Sequence, residues 1–189
     1  MMPPMPQPPD ITTASIARRD HAGYMRFALT LARKSPPKAT NFCVGAALVD
    51  EPHNRILSTG YTLELPGNTH AEQCCLGKYA AEHDLREEEV ESILPEGTVL
   101  YTTMEPCGKR SVDNIPCVDR ILRTKKGPNG GIQTVYIGVT EPETFVGENV
   151  GRAKLEGHGI CCVHVPGFEE EILKVATAGH PKESERCGN

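Results

Sequence analysis

At 189 residues, with 38% hydrophobic side chains and no tryptophan, the chain has the length of one domain with a core of ordinary size, and no apolar stretch approaches a membrane span. Its formal charge of -5 opposes non-specific nucleic-acid binding, which is driven mostly by Lys and Arg neutralising phosphates, but leaves a small anionic ligand open. Eight cysteines with no basic-then-apolar leader ahead of them exclude a secreted disulfide framework as the simplest reading and favour free thiols in a cytoplasmic compartment.

Residues 1–11 open with five prolines in nine positions, too polar and too stiff to join a core, and are expected to be a disordered arm. From about Thr12, with Thr12, Thr13 and Ser15 as candidate caps, apolar residues recur at helical spacing through Tyr24, Ala28 and Leu31 until Ser35-Pro36-Pro37 stops the run. Residues 44–49 and 55–59 read as two strands around a Pro- and Asn-containing hairpin loop at 50–54. A loop with Pro66-Gly67 precedes a helix over 70–83. Residues 98–102 form a strand, 104–116 a loop, and Cys117 starts a short helix that ends near Lys125-Lys126-Gly127-Pro128. A strand at 134–139, a helix at 149–157, a strand at 160–165 and a helix at 168–178 follow, with a polar tail over 179–189. After the first hairpin, strands alternate with helices. That pattern predicts an α/β fold of three layers, α/β/α, around a mixed sheet of about five strands, with residues 12–178 as the folded domain.

Four residues carry chemistry. His70 and Glu72 stand at the mouth of one predicted helix; Cys107 and Cys117, each preceded by proline, lie beside and at the start of another. One imidazole and two thiolates supply three ligands for a tetrahedral zinc and leave the fourth position for water, whereas a structural zinc normally closes its shell with a fourth protein ligand. Helix N-termini present unpaired N–H groups and a positive dipole end, which favour the thiolate form. His70 is expected to reach the metal and Glu72 to lie over its open position, moving protons between an activated water, a ring nitrogen and a departing amine. The expected chemistry is hydrolytic deamination.

The remaining residues of these types have plainer readings. Cys43, Cys74, Cys75, Cys161 and Cys162 read as small buried apolar residues, and Cys187 as a thiol on the tail. Histidines 21, 53, 83, 158, 164 and 180 lack ligand-like company and read as surface or structural, with His180 able to approach the site only if the tail folds back. Nine residues separate the two site cysteines, so the loop must leave the metal and return, suspending Lys109, Arg110 and Ser111 beside the reaction centre. Those side chains suit a phosphate, Arg110 by a bidentate contact, with a merely solvated basic loop as the competing reading.

His-x-Glu followed by a Pro-Cys pair resembles the cytidine-deaminase-like superfamily, whose members use zinc in the way just described. The wide cysteine spacing departs from the two-residue spacing of cytidine, deoxycytidylate and tRNA-adenosine deaminases. It resembles the deaminase branch of riboflavin biosynthesis, matched by Thr103-Met104-Glu105-Pro106-Cys107, by Ile115-Pro116-Cys117 and by Asn41-Phe42-Cys43-Val44-Gly45. The resemblance covers about residues 12–178. Lys109-Arg110-Ser111, and a chain without the reductase domain common in bacterial relatives, are similar to the fungal form of that family. It implies loss of the 2-amino group of 2,5-diamino-6-ribitylamino-pyrimidinone 5′-phosphate, giving the 5-amino-6-ribitylamino-uracil phosphate and ammonia. It also implies a homodimer and a role for Asn41 at the amide edge of the pyrimidine, the alternative for Asn41 being an Asn that caps a turn. Two other functions compete: a cytosine or deoxycytidylate deaminase with an unusual loop, and a catalytically silent, zinc-stabilised interaction module. Retention of Glu72 argues against the silent module, and acidic balance against an RNA-editing relative.

Overall fold

The computed structural model describes residues 16–140 and 150–181. The expected disordered arm at 1–11, and most of the polar tail, lie outside those residues. Among the described residues the elements run, in chain order, α1 (His21–Ala32), β1 (Gly45–Asp50), β2 (Arg55–Tyr61), α2 (Ala71–Glu82), a 3₁₀ helix (Glu87–Ser92), β3 (Thr98–Met104), α3 (Cys117–Thr124), β4 (Thr134–Val139), α4 (Gly151–Gly157), β5 (Cys161–His164) and α5 (Glu169–Ala176).

The sheet order is β2-β1-β3-β4-β5. β1 pairs antiparallel with both β2 and β3, while β3, β4 and β5 run parallel, so the sheet is mixed as expected. Successive residues of a strand point to opposite faces, and the two cores divide accordingly. Ala46, Leu48, Leu100 and Val135 pack under α2, α3 and α4 with Cys75, Leu76, Ile121 and Leu155. Ala47, Val49, Val99 and Tyr101 pack under α1 and α5 with Met25, Leu29 and Ile172. Parallel strands covered on both faces read as continuous apolar runs, and β3 is buried at every position.

Three differences from the sequence reading have physical causes. Among the described residues the first helix starts at His21, and residues 16–20, expected to belong to it, are not helical: the Asp20 side chain accepts from the Gly23 N–H at 2.8 Å and makes the cap, and Arg19 just before it has a left-handed φ of 61°; the expected caps Thr12, Thr13 and Ser15 lie outside the described residues. The 3₁₀ helix was not foreseen. Its sequence is acidic with one buried apolar side chain, Val90, and it is held by Glu89, whose Oε2 accepts from both the Arg86 backbone N–H and Nε at 3.1 Å, and by an ion pair between Glu87 and the buried Arg120. Cys161 is exposed, not buried, because β5 is an edge strand whose outward positions face solvent, whereas Cys162 points into the core.

The site is placed by close approaches. Gly60 of β2 lies against the first turn of α2, where a Cβ would stand 2.2 Å from the Ala71 oxygen, so only glycine lets the start of that helix sit on the sheet. β3 delivers the loop that follows it at the carboxyl end of the parallel strands, where open α/β sheets commonly bind their ligands.

Candidate functional site

Three separate elements bring one donor each to a common point. His70 is the N-cap residue of α2, Cys117 the first residue of α3, and Cys107 lies in the loop between β3 and α3. His70 Nδ1 is 3.5 Å from the sulfur of Cys107 and 3.5 Å from that of Cys117, and all three donor atoms lie within 4.8 Å of one another. A tetrahedral zinc with ordinary Zn–S and Zn–N bonds separates such donors by about 3.6 Å, so the residues fit the ion without rearrangement. Local structure holds the two sulfurs: the Cys117 N–H points at Cys107 Sγ at 3.4 Å, and the Val118 N–H donates to the Cys107 carbonyl at 3.2 Å. Cys107 is pushed well below the usual thiol range, first by the hydrogen bond from Cys117 and then, against the opposing effect of burial, by His70. Cys117 is pushed up, first by that same hydrogen bond and then by burial. The pair therefore releases one proton readily and the second only to a cation that replaces it.

Glu72 sits in the first turn of α2 and is 4% exposed, as buried as a core residue. Burial raises its pKa above the ordinary carboxylate value, the Cys107 thiolate raises it further, and His70 opposes both. A carboxyl whose acid form is favoured in this way holds a proton more readily than a solvated one, which suits it to proton transfer. Thr102, which the sequence did not mark, lies beside it: its hydroxyl is 3.2 Å from Glu72 Oε1 and 2.9 Å from the Met104 carbonyl, and its single hydrogen serves one of the two at a time.

His70, Glu72 and Cys107 open onto a cleft of about 350 Å³ whose lining includes Asn41, Lys109, Arg110 and Ser111, all marked from the sequence. Arg110 clamps its loop to the start of α2, donating to the Asn68 carbonyl at 2.5 Å and to Gln73 Oε1 at 3.2 Å. Ser111 Oγ accepts from Asn114 Nδ2 at 3.0 Å, which leaves its own hydroxyl hydrogen to give. Asn41 Nδ2 donates to Asn68 Oδ1 at 2.8 Å and its Oδ1 accepts from the Thr40 hydroxyl at 2.8 Å. Glu105 also lines the cleft, buried, and one of its oxygens accepts from the Arg152 N–H at 3.3 Å near the start of α4. Phe42, Asn68 and His180 also line the cleft. None of these three carries a spacing signal, since each reaches the cleft through the fold.

Residues 18–129 match the profile of the cytidine and deoxycytidylate deaminase zinc-binding region. The diaminohydroxyphosphoribosylamino-pyrimidine deaminase of Schizosaccharomyces pombe is 38% identical over 162 residues, 86% of this chain, and the chain spans 36% of that relative's length. Crystal structures of the Aspergillus oryzae Rib2 deaminase, a C-terminal deletion mutant at pH 6.5, are similar at 50% identity and a TM-score of 0.78, covering 87% of this chain and 94% of that one. The same protein in complex with DARIPP gives 51% identity and a TM-score of 0.79, with the same coverage. The Thermotoga maritima diaminohydroxyphosphoribosylaminopyrimidine deaminase/5-amino-6-(5-phosphoribosylamino)uracil reductase is 29% identical with a TM-score of 0.63, over 82% of this chain and 39% of that one.

Proposed function

This chain belongs to the family of cytidine and deoxycytidylate deaminase zinc-binding domains, and we propose that it deaminates a phosphorylated diaminopyrimidine, 2,5-diamino-6-ribitylamino-pyrimidinone 5′-phosphate, in riboflavin biosynthesis. One observation carries the choice of substrate. The long stretch between the two site cysteines folds over the cleft and lines it with Lys109, Arg110 and Ser111, a phosphate-binding set beside a buried general base. Similarity to deaminases of that pathway over most of the chain supports it.

His70, Cys107 and Cys117 would hold the zinc, which when bound supplies a Lewis acid that makes water nucleophilic near neutral pH. The chain's own groups do the rest. Glu72 takes one proton from the attacking water and gives it to the pyrimidine ring nitrogen, then takes the second from the hydroxyl newly bonded to the carbon and gives it to the amine as that leaves as ammonia; the carbon that loses nitrogen keeps the water oxygen, so atoms balance. The Thr102 hydroxyl, 3.2 Å from Glu72 Oε1, helps to place that carboxyl. Asn41, locked by Thr40 and Asn68, faces the amide edge of the ring, and Lys109 with the clamped Arg110 meets the phosphate. A homodimer in the cytoplasm is part of the same reading, and sedimentation of the purified chain measures the first half of that statement.

The test is ammonia release by zinc-loaded protein from four compounds: the ribitylamino phosphate, its unreduced ribosylamino analogue, cytidine and deoxycytidylate. Turnover of the ribitylamino compound alone is expected. Turnover of a cytosine nucleotide instead would keep the mechanism and overturn the pathway, and silence on all four would leave a zinc-stabilised binding module.

A further inference from the structure

One wall of the cleft is built from the far end of the chain. Residues 38–43 have little regular structure of their own, with one isolated bridge between Lys38 and Asn41. The turn after α5 grips them. The Ala176 carbonyl accepts from the Cys43 N–H at 3.0 Å, and Gly179 lies so close to Lys38 that a Cβ would stand 2.3 Å from its nitrogen. His180 closes the grip: its Nε2 is 3.0 Å from the Asn41 main-chain oxygen, and because a carbonyl only accepts, Nε2 carries a hydrogen and donates it. The imidazole packs on Phe42 with ring centroids 4.8 Å apart, and it lines the same cleft as Glu72 and Lys109.

Asn41 is thereby fixed from three sides. Thr40 and Asn68 hold the two ends of its side-chain amide, and His180 holds its main chain. The contact joins positions 139 apart, and His180 lies beyond the 18–129 segment that the family profile matches. The wall therefore depends on this chain's own C-terminal turn and not on the shared zinc-binding core.

We propose that His180 is a positioning residue for substrate specificity: by holding Asn41 and Phe42 in place it sets the affinity of the cleft for the phosphorylated pyrimidine without taking part in the chemical step. The inference rests on the substrate reading above, and its test separates the two. Wild type, His180→Ala and His180→Gln are compared as full-length, zinc-loaded chains, by steady-state ammonia release and by backbone hydrogen exchange. In His180→Ala we expect KM for the ribitylamino phosphate to rise about tenfold with kcat within about twofold, the signature of lost binding and not of lost chemistry. Exchange across residues 38–44 should rise about tenfold while the rest of the chain keeps its wild-type pattern. His180→Gln, whose amide nitrogen can take up the Nε2 donation, should restore most of both. An unchanged KM, a fall in kcat at constant KM, unchanged exchange over 38–44, or failure of the Gln variant to rescue would each overturn the proposal. If wild type itself fails to turn over this substrate, the substrate reading falls, and the exchange comparison still decides whether His180 holds the wall.

Discussion

At the floor of the cleft, a buried hydroxyl stands beside the proposed general base. Thr102 is fully buried, and its hydroxyl lies 3.2 Å from Glu72 Oε1. Thr102→Val keeps the shape and removes the hydrogen bond, whose net worth of about 1 kcal/mol corresponds to a five- to tenfold loss of rate. We expect kcat for ammonia release to fall by about that factor with zinc content unchanged; an unaffected kcat would remove Thr102 from the positioning of Glu72. At this scale the sequence was legible wherever chemistry restricts residue type. A metal that wants imidazole and thiolate leaves its mark in His70, Cys107 and Cys117, which the fold brings together, and Glu72, marked as the proposed acid–base, lines the same cleft. Thr102 and His180 left none, because a hydroxyl or an imidazole acting through a hydrogen bond to a distant backbone or carboxylate looks like any other in one dimension.

Among the elements, the β1–β2 hairpin shows how a buried charge can be stabilising. Asp50, the last residue of β1, has a side chain 1% exposed. Burial works to raise its pKa, but hydrogen bonds from the His53 ring and N–H, and from Arg55, outweigh it and hold the carboxyl below its ordinary 3.8. A carboxyl whose folded pKa is depressed contributes stability that is present above the unfolded value and lost as the pH falls through the folded one. Asp50→Asn should therefore cost about 1–2 kcal/mol in urea unfolding at pH 7. The gap to wild type should close as the pH drops below 3.8, and a gap that persisted there would refute the ionic account. Elements with strong patterns were readable to within a few residues: β4 was found at its full extent, 134–139, from a continuous apolar run. The 3₁₀ helix was not, since Glu87–Ser92 has no apolar period and is held by Arg86 and Arg120. The cap of α1 is Asp20, and nothing in one dimension singles it out from the other capping residue types that precede His21.

For the molecule as a whole, the metal site adds a further tie between elements that packing and a few hydrogen bonds already join. The start of α2, the loop after β3 and the start of α3 each donate one ligand atom, so a bound ion holds both sides of the cleft to the sheet. A ligand that binds only the folded state stabilises it by mass action, about 4 kcal/mol at a thousand times its Kd. Chelation should lower the thermal midpoint by several degrees in a way that added zinc reverses and that grows with zinc concentration, on the order of a few degrees per kcal/mol for a chain of this size. A midpoint indifferent to chelator would mean that these three residues do not hold a metal in solution. The layered α/β/α plan was legible because its hairpin and its strand–helix alternation admit few other arrangements, whereas the return of the chain's end onto residues 38–43 is a matter of tertiary packing alone. The most direct test of the whole reading joins zinc content and turnover in one pair of proteins, wild type and Glu72→Gln, assayed for ammonia release from the ribitylamino phosphate and for bound metal in the same samples. We expect one zinc per chain in both and a rate lower by about a thousandfold in the variant, within the usual span for loss of a general acid–base. Equal turnover at equal zinc would contradict the assignment of Glu72 and with it the deamination mechanism derived from this site.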